Sequence, residues 1–85
     1  MLRVAWFAPL KDQESLGAYT TRILLPHLKN KCDITLFDLE SGEFLGQHVK
    51  NFLSAFREHR EQPFDLFFYQ LEDRRSAYFV RTHLS

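Results

Sequence analysis

Hydrophobic residues fall into short runs separated by polar turns, and the runs alternate between strand-like and helix-like spacing. The stretch 2–7 is apolar apart from Arg3 and is closed by Pro9, the pattern of a strand buried on both faces. Residues 8–14 read as a polar loop. Ser15, or Asp12 one turn earlier, can accept hydrogen bonds from the free N–H groups that open a helix. Leu16, Tyr19, Ile23 and Leu28 then follow with near-helical spacing and predict a helix over 15–29. Pro26 conflicts with its last turn, because it removes the bond to the Arg22 carbonyl.

Residues 33–37 alternate polar and apolar and read as the second strand. A loop is expected over 38–46, where Ser41-Gly42 and Gly46 fall. Val49, Phe52, Leu53 and Phe56 then sit at i, i+3, i+4 and i+7, with Lys50, Asn51, Arg57 and Glu58 largely opposite, which predicts an amphipathic helix ended by Pro63. Residues 66–71 form a third, almost wholly apolar strand, with Asp65 leading in. A final helix is expected from Asp73, carrying Ala77, Tyr78, Val80 and Leu84.

This βαβαβα alternation predicts one α/β domain over residues 1–85, a three-layer half-Rossmann-like unit with a short parallel sheet and right-handed crossovers. The first and third strands are too apolar to face water, so helices must cover both faces. The expected strand order is 2-1-3, with the apolar first strand central and the more polar second strand at an edge; 3-2-1 is the alternative.

Composition narrows the function classes. Eleven basic residues balance eleven acidic ones without a block of either sign, which argues against nucleic-acid binding by phosphate neutralisation. Cys32 is the only cysteine, so neither an internal disulfide nor a cysteine-rich zinc site can form, and a reducing, cytoplasmic setting fits best. Its bland reading is a small half-buried residue at a strand edge. The apolar run at the start is too short for a signal-peptide core, and no stretch approaches the roughly 20 apolar residues of a membrane span.

In open α/β sheets ligands bind at the carboxyl ends of the strands. That directs attention to 8–17, 38–41 and 70–74. Pro9, Ser15 and Gly17 precede or open a helix whose N–H groups could hold an anion. The spaced glycines of a dinucleotide fingerprint and the Gly-Lys-Ser/Thr of a P-loop are both missing, so an ordinary connecting loop reads equally well. Receiver domains carry acidic residues directly after the first strand, where this chain has Ala8-Pro9. Gln70, Glu72 and Asp73 end the third strand. The two carboxylates could do acid–base or metal work, but a helix cap at Asp73 with Glu72 beside its positive end explains them too. Arg74 and Arg75 suit either a phosphate or a solvated helical turn. His27, His48, His59 and His83 show no metal-ligand spacing and read as surface residues. No metal or cofactor is expected.

Three stretches, taken together, resemble the start of family-4 glycosyltransferases of the GT-B fold. They are Val4-Ala5-Trp6-Phe7-Ala8-Pro9-Leu10; Ser15 to Leu28, with Gly17, Tyr19 and Leu24-Leu25-Pro26-His27-Leu28; and Phe64-Asp65-Leu66-Phe67-Phe68-Tyr69-Gln70-Leu71. Their order and spacing match, and the awkward Pro26 becomes a tolerated feature. Residues 38–62 have no distinctive counterpart. Members of this subgroup tend to carry Pro-Pro and Ser-Gly in the first loop and Gly-Asn after Tyr-Gln-Leu; this chain has Lys11-Asp12, Ser15-Leu16-Gly17 and Glu72-Asp73 instead.

The resemblance implies transfer of a sugar from a nucleotide-sugar donor, with this chain as an N-terminal, acceptor-side piece truncated relative to a full GT-B N-terminal domain. The donor-side pair of glutamates is absent, so the chain alone is expected to be inactive, and nucleotide sugar and acceptor would be partners only within a longer protein. Pro9, Ser15, Gly17, Gln70, Glu72 and Asp73 would then border the cleft. A small stand-alone interaction module or a nucleotide-binding module remains the alternative. Self-association through an exposed sheet edge or apolar face is expected under either reading.

Overall fold

The structure, a computed structural model, describes residues 1–11 and 15–70. The elements are β1 (Leu2–Phe7), α1 (Leu16–Leu28), β2 (Cys32–Asp38), β3 (Gly42–Phe44), β4 (Gln47–Asn51), a 3₁₀ turn (Phe52–Ser54), α2 (Ala55–Glu61) and β5 (Leu66–Tyr69). The expected final helix from Asp73 lies outside the described residues. The strands form one mixed sheet in the order β3-β4-β2-β1-β5. β1 pairs in parallel with β2 and β5, β2 in parallel with β4, and only the β3–β4 pair is antiparallel.

This corrects the expected order. β1 does lie between the two strands foreseen beside it, but the sheet has five strands, and β2 is its central strand rather than an edge. Of the polar residues that suggested an edge, Asp33 sits at the amino end of β2 and Thr35 at its middle, half-buried. Asp33 is exposed and meets Arg3 across the sheet at 3.6 Å, while Ile34, Leu36 and Phe37 are buried.

The region expected to be a loop followed by a helix is where the two extra strands arise. Leu45 and Gly46 both adopt positive φ, 52° and 76°, between the closing pair Phe44 and Gln47. That is the backbone of a tight two-residue hairpin, normally announced by Asn-Gly or Asp-Gly. Val49, read as the first residue of an amphipathic helix, instead pairs with Leu36 in β4 and is buried. The helix begins only at Ala55. Asn51 makes the break: its side-chain oxygen accepts from Leu53 N at 2.9 Å and its amide donates to the Leu39 carbonyl at 2.9 Å.

Each face of the sheet buries one alternating set of side chains. Val4, Trp6, Ile34, Leu36, Phe44 and Val49 pack against Ala18 and Leu25 of α1. Ala5, Phe7 and Phe37 pack against Ala55 of α2 and against Phe64. The expected three layers are therefore present. On the second face the rings of Phe37, Phe7 and Tyr69 stack across three strands, at 4.9 and 4.7 Å between centroids.

α1 meets the sheet through small residues. Gly17, Ala18, Thr21 and Leu25 are buried. Thr21 Oγ1 accepts from Trp6 Nε1 at 3.0 Å and donates to the Gly17 carbonyl at 2.7 Å, so the indole is satisfied where α1 crosses it. The near-helical series Leu16, Tyr19 and Ile23 points outward, 64, 56 and 48% exposed. Pro26 is exposed and the helix continues past it to Leu28.

Arg3 secures the other end of the sheet. Its guanidinium donates to the carbonyls of Gln62 and Pro63 and lies 4.5 Å from the Phe64 ring centroid. Its N–H donates to Asp65 Oδ2 at 2.7 Å, and its carbonyl accepts from Asp65 N at 2.8 Å. One charged residue in an apolar strand thus sets where β5 begins. His59, expected at the surface, is half-buried here: its Nδ1 accepts from Phe64 N at 3.0 Å and its ring meets that of Phe67 edge-on.

The two faces of α1 predict opposite responses to truncation. Leu25→Ala should cost about 2–5 kcal/mol of stability, the range for a buried leucine. Ile23→Ala should stay within about 0.5 kcal/mol. Urea denaturation of both variants at high dilution, where the chain is monomeric, measures the difference, and equal losses would contradict the assigned face.

Candidate functional site

The four parallel strands, in spatial order β4-β2-β1-β5, are the third, second, first and fourth in the chain. This is the winding of a doubly wound sheet up to its reversal, which here falls between β1 and β5. Ligands in such sheets are met at the carboxyl ends beside the reversal. The residues at that edge are 8–11 and 15–17 after β1, 38–41 after β2, and Gln70 after β5.

Asp38 organises the edge. It is 2% exposed, and both carboxylate oxygens are engaged by backbone. Oδ2 accepts from Leu10 N and Lys11 N, each at 2.9 Å, and Oδ1 accepts from its own neighbour Leu39 N at 2.6 Å. The carboxylate therefore draws the loop after β1 onto the end of β2. The need is set by the loop itself: Ala8, Pro9 and Leu10 are buried, and a buried N–H left without an acceptor costs about 1–3 kcal/mol. Ala8 N is met by the Phe37 carbonyl at 3.1 Å, Leu10 N is shared between the Ala8 carbonyl at 2.9 Å and Asp38, and Lys11 N falls to Asp38.

Pro9 is fully buried, and its carbonyl accepts from Ser15 Oγ at 2.7 Å. The same Ser15 oxygen accepts from Ala18 N at 3.0 Å, so Ser15 caps α1 as its sequence position suggested. Gly17 is buried on the sheet side of α1. Pro9, Ser15 and Gly17 are thus brought together, and their contacts fix the path from strand to helix. Gln70 is half-buried, and its N–H donates to the Phe7 carbonyl at 2.9 Å, which holds it beside the loop. Glu72 and Asp73 lie outside the described residues.

Between the loops after β1 and β2 lies a recess of about 150 Å³ bordered by Leu10, Lys11, Asp38, Glu40, Ser41 and Glu43, and a shallower depression of about 470 Å³ adjoins it at Ser41 and reaches Asn51. Lys11 Nζ hydrogen-bonds the Glu40 carboxylate, linking the first and second loops. That hydrogen bond, and then the ammonium charge, lower the Glu40 pKa from its ordinary value. At the end of β5, burial raises the Tyr69 phenol above its ordinary 10.0. A wider depression, about 510 Å³, lies at the opposite, amino end of the sheet. Among its polar groups, Arg3 is held by Gln62 and Asp33, and Gln47 Nε2 donates to the Ile34 carbonyl at 2.8 Å.

Small-molecule sites usually enclose roughly 300–1,000 Å³, so the carboxyl-edge recess offers one wall of a site. Reading the sequence placed Asp38 only within the second loop to inspect. The signal available was an acidic residue directly after the alternating run 33–37, at a position this fold buries.

Replacing Asp38 by Asn keeps one acceptor oxygen and removes the charge. Asp38→Asn should destabilise the chain by about 2 kcal/mol, the scale of hydrogen bonds to a charged group. Amide exchange at Leu10 and Lys11 should accelerate more than exchange within β1. Unchanged protection at both amides would show that Asp38 does not hold the loop. Comparison with protein-family models, with curated proteins and with solved structures finds no match for this chain.

Proposed function

We propose that this chain is the N-terminal, acceptor-side part of a GT-B glycosyltransferase that moves a sugar from a nucleotide-sugar donor, and that it is inactive alone. One observation carries the reading. The three stretches that resemble family-4 enzymes fall on β1 with its loop, on α1 and on β5. β1 pairs directly with β5, and α1 crosses Trp6 of β1, so stretches far apart in sequence form one continuous unit. β1 and β5 end, and α1 begins, at the reversal of the sheet, where an acceptor would be held. The roles assigned to the residues follow from their places. Asp38, Pro9 and Ser15 shape the loop, the start of α1 and Gln70 border the cleft, and a second domain supplies the donor site and the missing wall. A stand-alone interaction module is the second reading, favoured by the exposed apolar face of α1.

The donor side provides the test. UDP-glucose and GDP-mannose titrated into the isotopically labelled chain should leave its amide spectrum unchanged, because the donor half is not in these 85 residues. Shifts at Ala8, Lys11, Ser15 or Gln70 on adding either nucleotide sugar would overturn the reading in favour of a nucleotide-binding module.

A further inference from the structure

The α1 side of the sheet carries an apolar ridge next to an apolar groove. The ridge is Leu16, Tyr19 and Ile23, one turn apart along the outside of α1. The groove follows from the register. Leu66 and Phe68 of β5 are the partners of Val4 and Trp6, so both face the α1 side, and the Trp6 and Phe68 rings lie 4.4 Å apart. α1 covers Val4 and Trp6, at 4 and 3% exposure, but leaves Leu66 49% exposed and Phe68 half-buried. Arg22 reaches the opposite way, 5.9 Å from the Phe44 ring of β3. Leu24 is two residues on, about 200° around a helix of 3.6 residues per turn, and so lies on the flank towards β5. It is 37% exposed and forms the wall of the groove.

We propose that this face is occupied by a second copy of the chain, related by a two-fold axis, with the α1 ridge of each copy seated in the groove of the other. The proposal stands apart from the transferase reading and rests on different residues. A two-fold contact must be self-complementary, and a ridge beside a groove on one face satisfies that. Exchanging ridge and groove reverses the direction across α1 and keeps the direction along it, so the axis runs along α1 and the two helices are parallel. None of the six ridge and groove residues is charged, and Arg22 is turned towards β3, so pairing buries no charge at the centre.

The area is adequate. At roughly 200 Å² for a large side chain, the exposed parts of ridge and groove amount to on the order of 500 Å² per copy. Two copies together then bury about the 1,000 Å² that marks a specific interface, before any polar rim is counted.

Sedimentation equilibrium tests the assembly. The wild-type chain should form a species of twice 10.2 kDa that dissociates on dilution. Tyr19→Glu should weaken it by more than about tenfold, the effect of losing one central apolar contact, with an unchanged circular dichroism spectrum. The geometry is tested separately in a Cys32→Ser background. Copies carrying Ile23→Cys, mixed with copies carrying Leu66→Cys, should form a disulfide-linked dimer on mild oxidation. Copies carrying Glu43→Cys, on the far edge, should not link to the Leu66→Cys copies. A wild-type chain that stays monomeric at all concentrations overturns the proposal and leaves the face to a different protein or to further chain. Equal cross-linking by the Glu43→Cys control overturns it as well.

Discussion

The burial of β1 on both faces is the constraint from which the rest of this structure follows. Val4 and Trp6 on one side, and Ala5 and Phe7 on the other, are between 0 and 4% exposed. A strand with no solvent face needs a neighbour on each edge and a layer on each side. β2 and β5 supply the edges, α1 one layer, and α2 with Phe64 the other. Burial continues past the end of the strand through Ala8, Pro9 and Leu10, where the pairing with β2 ends at the Ala8 N–H. Asp38 accepts from the N–H groups beyond it, and Arg3 performs the matching task at the amino end. Two ionic side chains at opposite ends of the sheet thus hold an otherwise apolar centre in register.

The parts that were legible in the sequence are those whose local pattern agrees with their tertiary setting. Leu2–Phe7 and the strand after Asp65 are apolar in nearly every position, and Ser15 stands where a helix needs a cap. The hairpin was hidden because Leu45 takes a left-handed backbone position that Asn or Gly usually marks. The stretch after it misled for a different reason. Val49, Phe52 and Phe56 keep helical spacing, yet they belong to a strand, a 3₁₀ turn and a helix in succession. Hydrogen bonding of β4 to the central β2 outweighs a helical preference that only the residues from Ala55 onward realise.

The candidate site was legible in place but not in its parts. The strand-end rule directs attention to the carboxyl edge of the sheet, where Pro9, Ser15 and Gly17 lie close together. The residue that holds them is Asp38, whose role depends on two backbone N–H groups approaching from a loop 27 and 28 residues earlier. No local pattern encodes that approach. The outward face of α1 was obscured in a similar way. Small residues are the ones that let the helix sit close over Trp6, which turns the larger apolar residues to the surface.

With a carboxyl-edge recess of about 150 Å³ that offers one wall of a site, the chain is proposed to act as part of a longer transferase. The most direct measure of that claim is the mass of the native protein in its source cells, detected with an antibody raised against this chain. A band several times heavier than 10.2 kDa is the result expected for the opening part of a two-domain transferase. A band at 10.2 kDa would contradict it and identify a self-contained module.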